Sequence, residues 1–148
     1  IACAIATGEI RIMSDGEPWR PLIHCRDIAH AFVAILHAPA SLTHNLPINI
    51  GDNDENYQVK KVAAKVQMIR PGTSITFTGE TGVDPRDYRV NFNLLKNLLP
   101  DFKFEYTLMS GMKNLYEALT KINFSELDLK GERFVRLKLL QKHLQLIA

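Results

Sequence analysis

The sequence predicts an α/β fold, and three observations carry that prediction. Short runs with alternating or β-branched apolar residues recur along the chain. Segments with apolar residues at helical spacing lie between them. Glycine, proline and small polar residues punctuate the junctions. The crossovers between strands are too short for a complete doubly wound sheet. No internal repeat, low-complexity stretch or strong linker interrupts the chain, so a single domain over residues 1–148 is expected.

Taken in order, Ile1–Ala6 reads as a helix entered midway and closed by Thr7-Gly8, a start expected of a fragment. Glu9–Met13 alternates polar and apolar like a half-buried strand, and Ser14–Pro18 has turn chemistry. Trp19–His24 is expected to be extended, because the residue before a proline is pushed away from helical angles. Asp27 is placed as the N-cap of a helix whose apolar residues Ile28, Ala29, Phe32, Val33, Ile35 and Leu36 run on until Pro39. Ile48–Gly51 is expected to be a short buried strand, followed by a polar loop through Asn56. Val59, Val62, Ala63 and Val66 form the stripe of a second helix that stops near Pro71-Gly72. Ser74–Thr78 is a strand by its β-branched content, and Gly79–Asn91 is a polar irregular segment. Helices are expected over Asn93–Leu99, over Gly111–Lys121, and as a basic amphipathic segment over Glu132–Ile147.

Composition narrows the function classes. A hydrophobic fraction of 46% and a charged fraction of 23% in 148 residues belong to a folded globular chain. The net charge of +2 arises from 18 basic and 16 acidic side chains mixed along the sequence, so no basic block offers itself to a nucleic-acid backbone. The longest apolar runs, Ile1–Ala6 and Ala31–Leu36, are too short to span a bilayer, and no positive segment precedes the first to make a leader peptide. Cys3 and Cys25 form neither a metal pair nor a disulfide framework, and a cytoplasmic location is expected from that.

The chain shows no complete catalytic set. G-x-G-x-x-G is absent: Gly79 and Gly82 follow a strand but open no helix, so the usual backbone cradle for a dinucleotide pyrophosphate is missing. P-loop, G-x-S-x-G and zinc spacings are absent too. Tyr57 and Lys61 satisfy a Tyr-x-x-x-Lys spacing, in which a lysine can lower a tyrosine pKa for use as a base. Here Tyr57 is expected at the start of a short helix with Lys61 in solvent, and the spacing is read as coincidence. His30 and His37 share a helix face without a third ligand. His24 ends the Trp-Arg-Pro strand, where it either serves a site or bonds a loop carbonyl. Arg20, between Trp19 and Pro21, and Arg86 and Arg89, in Asp84–Arg89, are candidates for gripping phosphates, since a guanidinium presents a rigid fork of donors. The competing reading is a set of intramolecular pairs, such as Arg86 with Asp84 or Asp87.

Four blocks in order resemble one family. Asp15–Ala29, containing Arg20-Pro21, His24, Asp27 and Ala29, is similar to the R-P-x-x-H-x-x-D-x-A stretch in the second half of extended short-chain dehydrogenases, the NAD-dependent epimerase/dehydratase family. Asn49-Ile50-Gly51 with Glu55-Asn56-Tyr57 resembles the next block. Arg86–Phe92 resembles the R-S-Y-R-V-D-F block of sugar-nucleotide members, and Gly111–Leu115 the late helix. Departures are Cys25 for an aliphatic residue, Asn91 for Asp, and Asn93-Leu94-Leu95 for S-K-[IL]. Gly131–Leu137 fits one branch of the family.

The resemblance implies the C-terminal, substrate-binding part of an extended short-chain dehydrogenase (Rossmann-type) fold. The NAD-binding half, with the catalytic Ser/Thr, Tyr and Lys, would lie before Ile1. It implies diphosphate contacts from Arg20 and from Arg86, with Arg89 close behind, and a ribose or packing role for Tyr88. It implies scaffold roles for His24 and Asp27. The ligand would be a nucleoside-diphosphate sugar, the cofactor NAD held by the other half, and the parent a homodimer; the fragment alone would be inactive. Two alternatives stay open: an NAD(P)-dependent reductase or decarboxylase of the same fold, and a non-catalytic truncated interaction module.

Overall fold

The computed structural model describes residues 1–79 and 86–145. Helix α1 (Ala2–Thr7) ends on Gly8, whose left-handed φ of 73° closes the last turn with a bond to Ala4. Strand β1 (Glu9–Ile12) comes next and pairs in parallel with β4 (Ser74–Phe77), in a register running from Glu9 opposite Ser74 to Ile12 opposite Phe77. A second, antiparallel ladder joins β2 (Trp19–Pro21) to β3 (Asn56–Gln58), with Arg20 opposite Tyr57. Pro21, which has no N–H to donate, closes its strand.

The helices are α2 (Cys25–His37), a short α3 (Ala40–Thr43), α4 (Val59–Ile69), α5 (Asn93–Leu98), α6 (Leu108–Lys121), α7 (Glu126–Lys130) and α8 (Arg136–Gln145). Ala4, Val66 and Met112 bring α1, α4 and α6 together in a buried cluster, surrounded by Ile1, Ile10, Val62, Ile69 and Leu108. The apolar stripe on α4 is thus spent on the core. The stripe on α2 is spent only in part: Ala31 is buried, whereas Phe32 is 61% and Leu36 81% exposed.

Four expectations are corrected. The cap of α2 is His24, whose ring Nδ1 accepts from Arg26 N at 3.3 Å. Asp27 sits inside the first turn, fully buried, and accepts the backbone N–H groups of Glu105 (2.9 Å) and Tyr106 (3.1 Å). Its carboxylate is a tertiary staple rather than a local cap. Ile48–Gly51 is not a strand, because no described strand lies alongside to share a ladder. Tyr57 lies on β3 and not at a helix start, since the antiparallel pairing with β2 claims Asn56–Gln58 first. Glu132–Ile147 is not one helix: α7 ends at Gly131 and α8 begins at Arg136, while residues 146–148 lie outside the described residues.

One glycine sets the geometry around Trp19. Gly16, at φ 78°, turns the chain between β1 and β2 and accepts Lys60 N at 2.9 Å. A Cβ there would lie 2.7 Å from a Phe77 ring carbon and 2.9 Å from Lys60 Cβ, so only glycine lets this turn rest on the start of α4. Val59 N donates to Pro18 O at 3.1 Å beside it. The two bonds set the first turn of α4 against Trp19.

Candidate functional site

The β2–β3 ladder is a platform onto which the arginine-bearing segment 86–92 is tied. The knot is Asn56, 8% exposed, which donates to Val90 O at 3.1 Å and accepts Val90 N at 2.9 Å. Asn53 accepts Phe92 N at 2.9 Å and donates to Asn93 Oδ1 at 2.7 Å. Phe92 is buried over Gly51, where a Cβ would come within 2.6 Å of the ring. An irregular backbone is held in one place here because amide side chains satisfy its N–H and C=O groups as a strand would.

With the segment fixed, residues 66 and 68 positions apart meet. Arg20 Nη1 donates to Arg86 O at 2.7 Å and to Trp19 O at 2.7 Å. Trp19 N donates to Asp87 Oδ1 at 2.7 Å. The Arg20 guanidinium lies 5.3 Å from the Tyr88 ring centre, and that of Arg89 lies 4.4 Å from the Trp19 ring centre, with Lys61 Nζ at 5.7 Å from the same ring. Aromatic faces hold cations in place at such distances. Arg20 is partly buried, and Arg86, Tyr88 and Arg89 are exposed. Arg20, Arg86, Tyr88 and Arg89 therefore belong to one neighbourhood. Asp87, a candidate arginine partner by sequence, accepts the Trp19 amide; Asp84 lies outside the described residues, as does most of the Gly79–Gly82 stretch. Chemically, the cluster can bind an anion and stack a flat ring. Among the described residues it contains no acid–base pair for making or breaking bonds.

Tyr57 and Lys61 do not act as a couple. Lys65, not Lys61, lies over the Tyr57 ring, at 5.4 Å, while Lys61 faces Trp19. Burial first, and then Glu55, push the Tyr57 phenol above its ordinary value of 10.0, the opposite of what a tyrosine base needs.

Apart from this cluster, a concavity of about 490 Å³ opens between the β2–α2 junction and α6, lined by Leu22, Ile23, His24, Leu108, Met112 and Leu115 among others. His24 stacks on Tyr106 with ring centres 3.9 Å apart and planes at 13°. Arg26 donates to Tyr106 Oη at 3.0 Å, a bond that raises the Arg26 pKa. Gly111 passes so close that a Cβ would lie 3.0 Å from His24 Cδ2. Glu55 accepts Leu108 N at 2.8 Å. The site residues that sequence reasoning passed over are Trp19, Asn56, Asp87 and Lys61. The lone tryptophan directly before Arg20 was a usable signal for the first; for the others the signal exists only in space.

Neither strand-to-helix junction in the described residues fits a dinucleotide. Between β2 and α2, and between β3 and α4, no glycine occurs, and His24 and Gln58 stand at the helix starts. A pyrophosphate cradle needs bare backbone N–H groups there. Among the described residues no helix is long and apolar enough to cross a membrane.

Comparison with known proteins agrees with this partial architecture. Residues 1–51 match the NAD dependent epimerase/dehydratase family. No curated protein matches the chain. Among solved structures, an NAD-dependent NDP-hexosamine 5,6-dehydratase of tunicamycin biosynthesis superposes with a TM-score of 0.67 at 18% identity, covering 81% of this chain and 38% of that one. UDP-glucuronic acid 4-epimerase from Bacillus cereus, in complex with UDP-glucuronic acid and NAD, gives 0.65 at 18% identity, covering 77% and 36%. A partial-consensus L-threonine 3-dehydrogenase gives 0.65 at 16% identity, covering 81% and 40%. The fold is the mixed α/β fold of extended short-chain dehydrogenases, Rossmann-type enzymes. It is a partial one, because the chain spans 36–40% of the length of these enzymes.

Proposed function

We propose that this chain is the nucleotide-sugar-binding part of an NAD-dependent epimerase or dehydratase. In this reading Arg20, Arg86 and Arg89 hold the diphosphate and Tyr88 lies against the ribose. The observation that supports it is the meeting of β2 with segment 86–92, which ties Arg20 to the Arg86 carbonyl and sets the Arg20 guanidinium beside the Tyr88 ring and that of Arg89 beside the Trp19 ring. A diphosphate asks for such a set: fixed forks for its oxygens, with flat rings nearby for ribose or base. The family match over residues 1–51 and the nucleotide-sugar enzymes among the structural relatives point the same way.

The described residues do not fit NAD, so the cofactor and the reacting groups belong, in this proposal, to the remainder of a longer parent. Residues 1–148 then form one substrate-binding unit, inactive by itself. Its work is to spend binding energy on the nucleotide, remote from the reacting sugar ring, so that the ring arrives oriented. The parent in this proposal is a homodimer, and the free, exposed Cys3 and Cys25 suit a reducing cytoplasm.

Trp19 is the only tryptophan, so its fluorescence reports on the site alone. Titration with UDP-glucuronic acid should change Trp19 emission saturably, and Arg20→Ala or Arg89→Ala should weaken binding by about tenfold, near the 1.4 kcal/mol of one charged contact. Equal affinity in wild type and both variants, or no binding in the wild type, would refute the proposal. A second reading, NAD(P)-dependent reduction of a substrate without a nucleotide, draws on the L-threonine 3-dehydrogenase likeness. Under it the arginine cluster ignores UDP-glucuronic acid.

A further inference from the structure

We infer that Asp87 is a positioning residue whose carboxylate closes the free edge of β2 and fixes where Tyr88 and Arg89 stand, an inference that rests on the proposed nucleotide-sugar site. In an antiparallel pair, the backbone groups of a strand turn alternately toward and away from the partner strand. Val59 N donates to Pro18 O at 3.1 Å and Leu22 N to Glu55 O at 2.9 Å, so residues 18 and 22, and Arg20 between them, face β3. Trp19 and Pro21 therefore turn their backbone groups to the other edge. Pro21 has no N–H, which leaves the Trp19 amide as the one donor that β2 presents there.

Asp87 Oδ1 accepts that amide at 2.7 Å, the short end of the range for a charged acceptor. The Arg20 guanidinium folds back to the same edge, its Nη1 bridging Trp19 O and Arg86 O at 2.7 Å each. Consecutive residues 86 and 87 are thereby fastened to one residue of β2. Side chains of successive extended residues leave on opposite sides, and the contacts follow that alternation. Tyr88 lies beside the Arg20 guanidinium at 5.3 Å, while the Arg89 guanidinium lies 4.4 Å from the Trp19 ring centre. Both contacts are met at one setting of the segment against the edge, since a slip of one residue exchanges the two sides. Asn56 and Asn53 hold the far end of the segment at Val90 and Phe92, and Asp87 holds the near end. A carboxylate in this place opposes an anionic ligand by its charge. Removing it therefore has two effects of opposite sign: the charge effect tightens anion binding, and the loss of position loosens it.

The test is calorimetric titration of the chain with UDP, with circular dichroism to verify folding and amide exchange read at Trp19. Asp87→Ala should weaken UDP binding about fivefold to tenfold, the worth of one hydrogen bond, and accelerate exchange at Trp19. Asp87→Asn keeps an acceptor oxygen and loses the charge, so it should protect the Trp19 amide and bind UDP at least as tightly as the wild type. If Arg20→Ala loses UDP while Asp87→Ala binds it as the wild type does or more tightly, the inference fails and the proposed site stands. Asp87→Asn as weak as Asp87→Ala, with its Trp19 amide still protected, overturns the inference as well. If the wild type binds no UDP, the proposed site fails and this inference with it.

Discussion

Replacing Asp27 by alanine isolates the staple that ties α2 to the segment leading into α6. The side chain is fully buried and accepts two backbone N–H groups, from Glu105 at 2.9 Å and Tyr106 at 3.1 Å. Alanine removes the acceptor from both donors. A buried donor left unsatisfied costs about 2 kcal/mol, so the pair costs about 4 kcal/mol. For a chain of this size that is a fall in Tm of roughly 10 °C, at about 2–4 °C per kcal/mol. Losing a helix cap alone costs about 1 kcal/mol. The comparison variant is His24→Ala, which removes the actual cap bond to Arg26 N. Urea unfolding monitored by circular dichroism measures both, and amide exchange at Glu105 and Tyr106 should accelerate in Asp27→Ala but not in His24→Ala. An Asp27→Ala cost no greater than that of His24→Ala, with unchanged exchange at the two amides, would overturn the staple.

Two further outcomes are expected. Asn56→Ala strips both bonds from Val90 and should destabilise by about 3 kcal/mol while weakening UDP binding, although Asn56 sits behind the arginines rather than beside a ligand; unfolding and calorimetry on one sample check both. Asp128, which accepts the Ser125 amide at 3.0 Å in the α7 capping box and bonds Arg133, has its pKa lowered below the ordinary 3.8, with the backbone bond the main cause. A depressed carboxylate stabilises above its unfolded pKa and loses that contribution as pH falls through the folded one. The Tm difference between wild type and Asp128→Asn should therefore be constant near neutrality and shrink only as the medium is acidified below the ordinary carboxylate range.

Local pattern was enough for much of this chain. The stripe on α4 and its stop, the alternation in β1, the β-branched run of β4 and the end of α2 before Pro39 all arise from contacts within a few residues, where periodicity and φ/ψ limits act directly. The arginine candidates were legible as residue types in unusual places. What only the tertiary structure decided is everything that depends on pairs far apart in sequence. The extension of Trp19–Pro21 had a local signal, but its pairing with Asn56–Gln58 had none and exists because the chain returns antiparallel at that point. Asp27 looked like a cap because a cap is local, and became a staple because Glu105 and Tyr106, 78 and 79 residues on, present their amides to it. The approach of Arg20 to the Arg86 carbonyl spans 66 residues, and it is set by Asn56 and Asn53 pinning an irregular backbone that carries no periodic pattern of its own. Sequence determines which groups can grip an anion; only packing determines which of them share one.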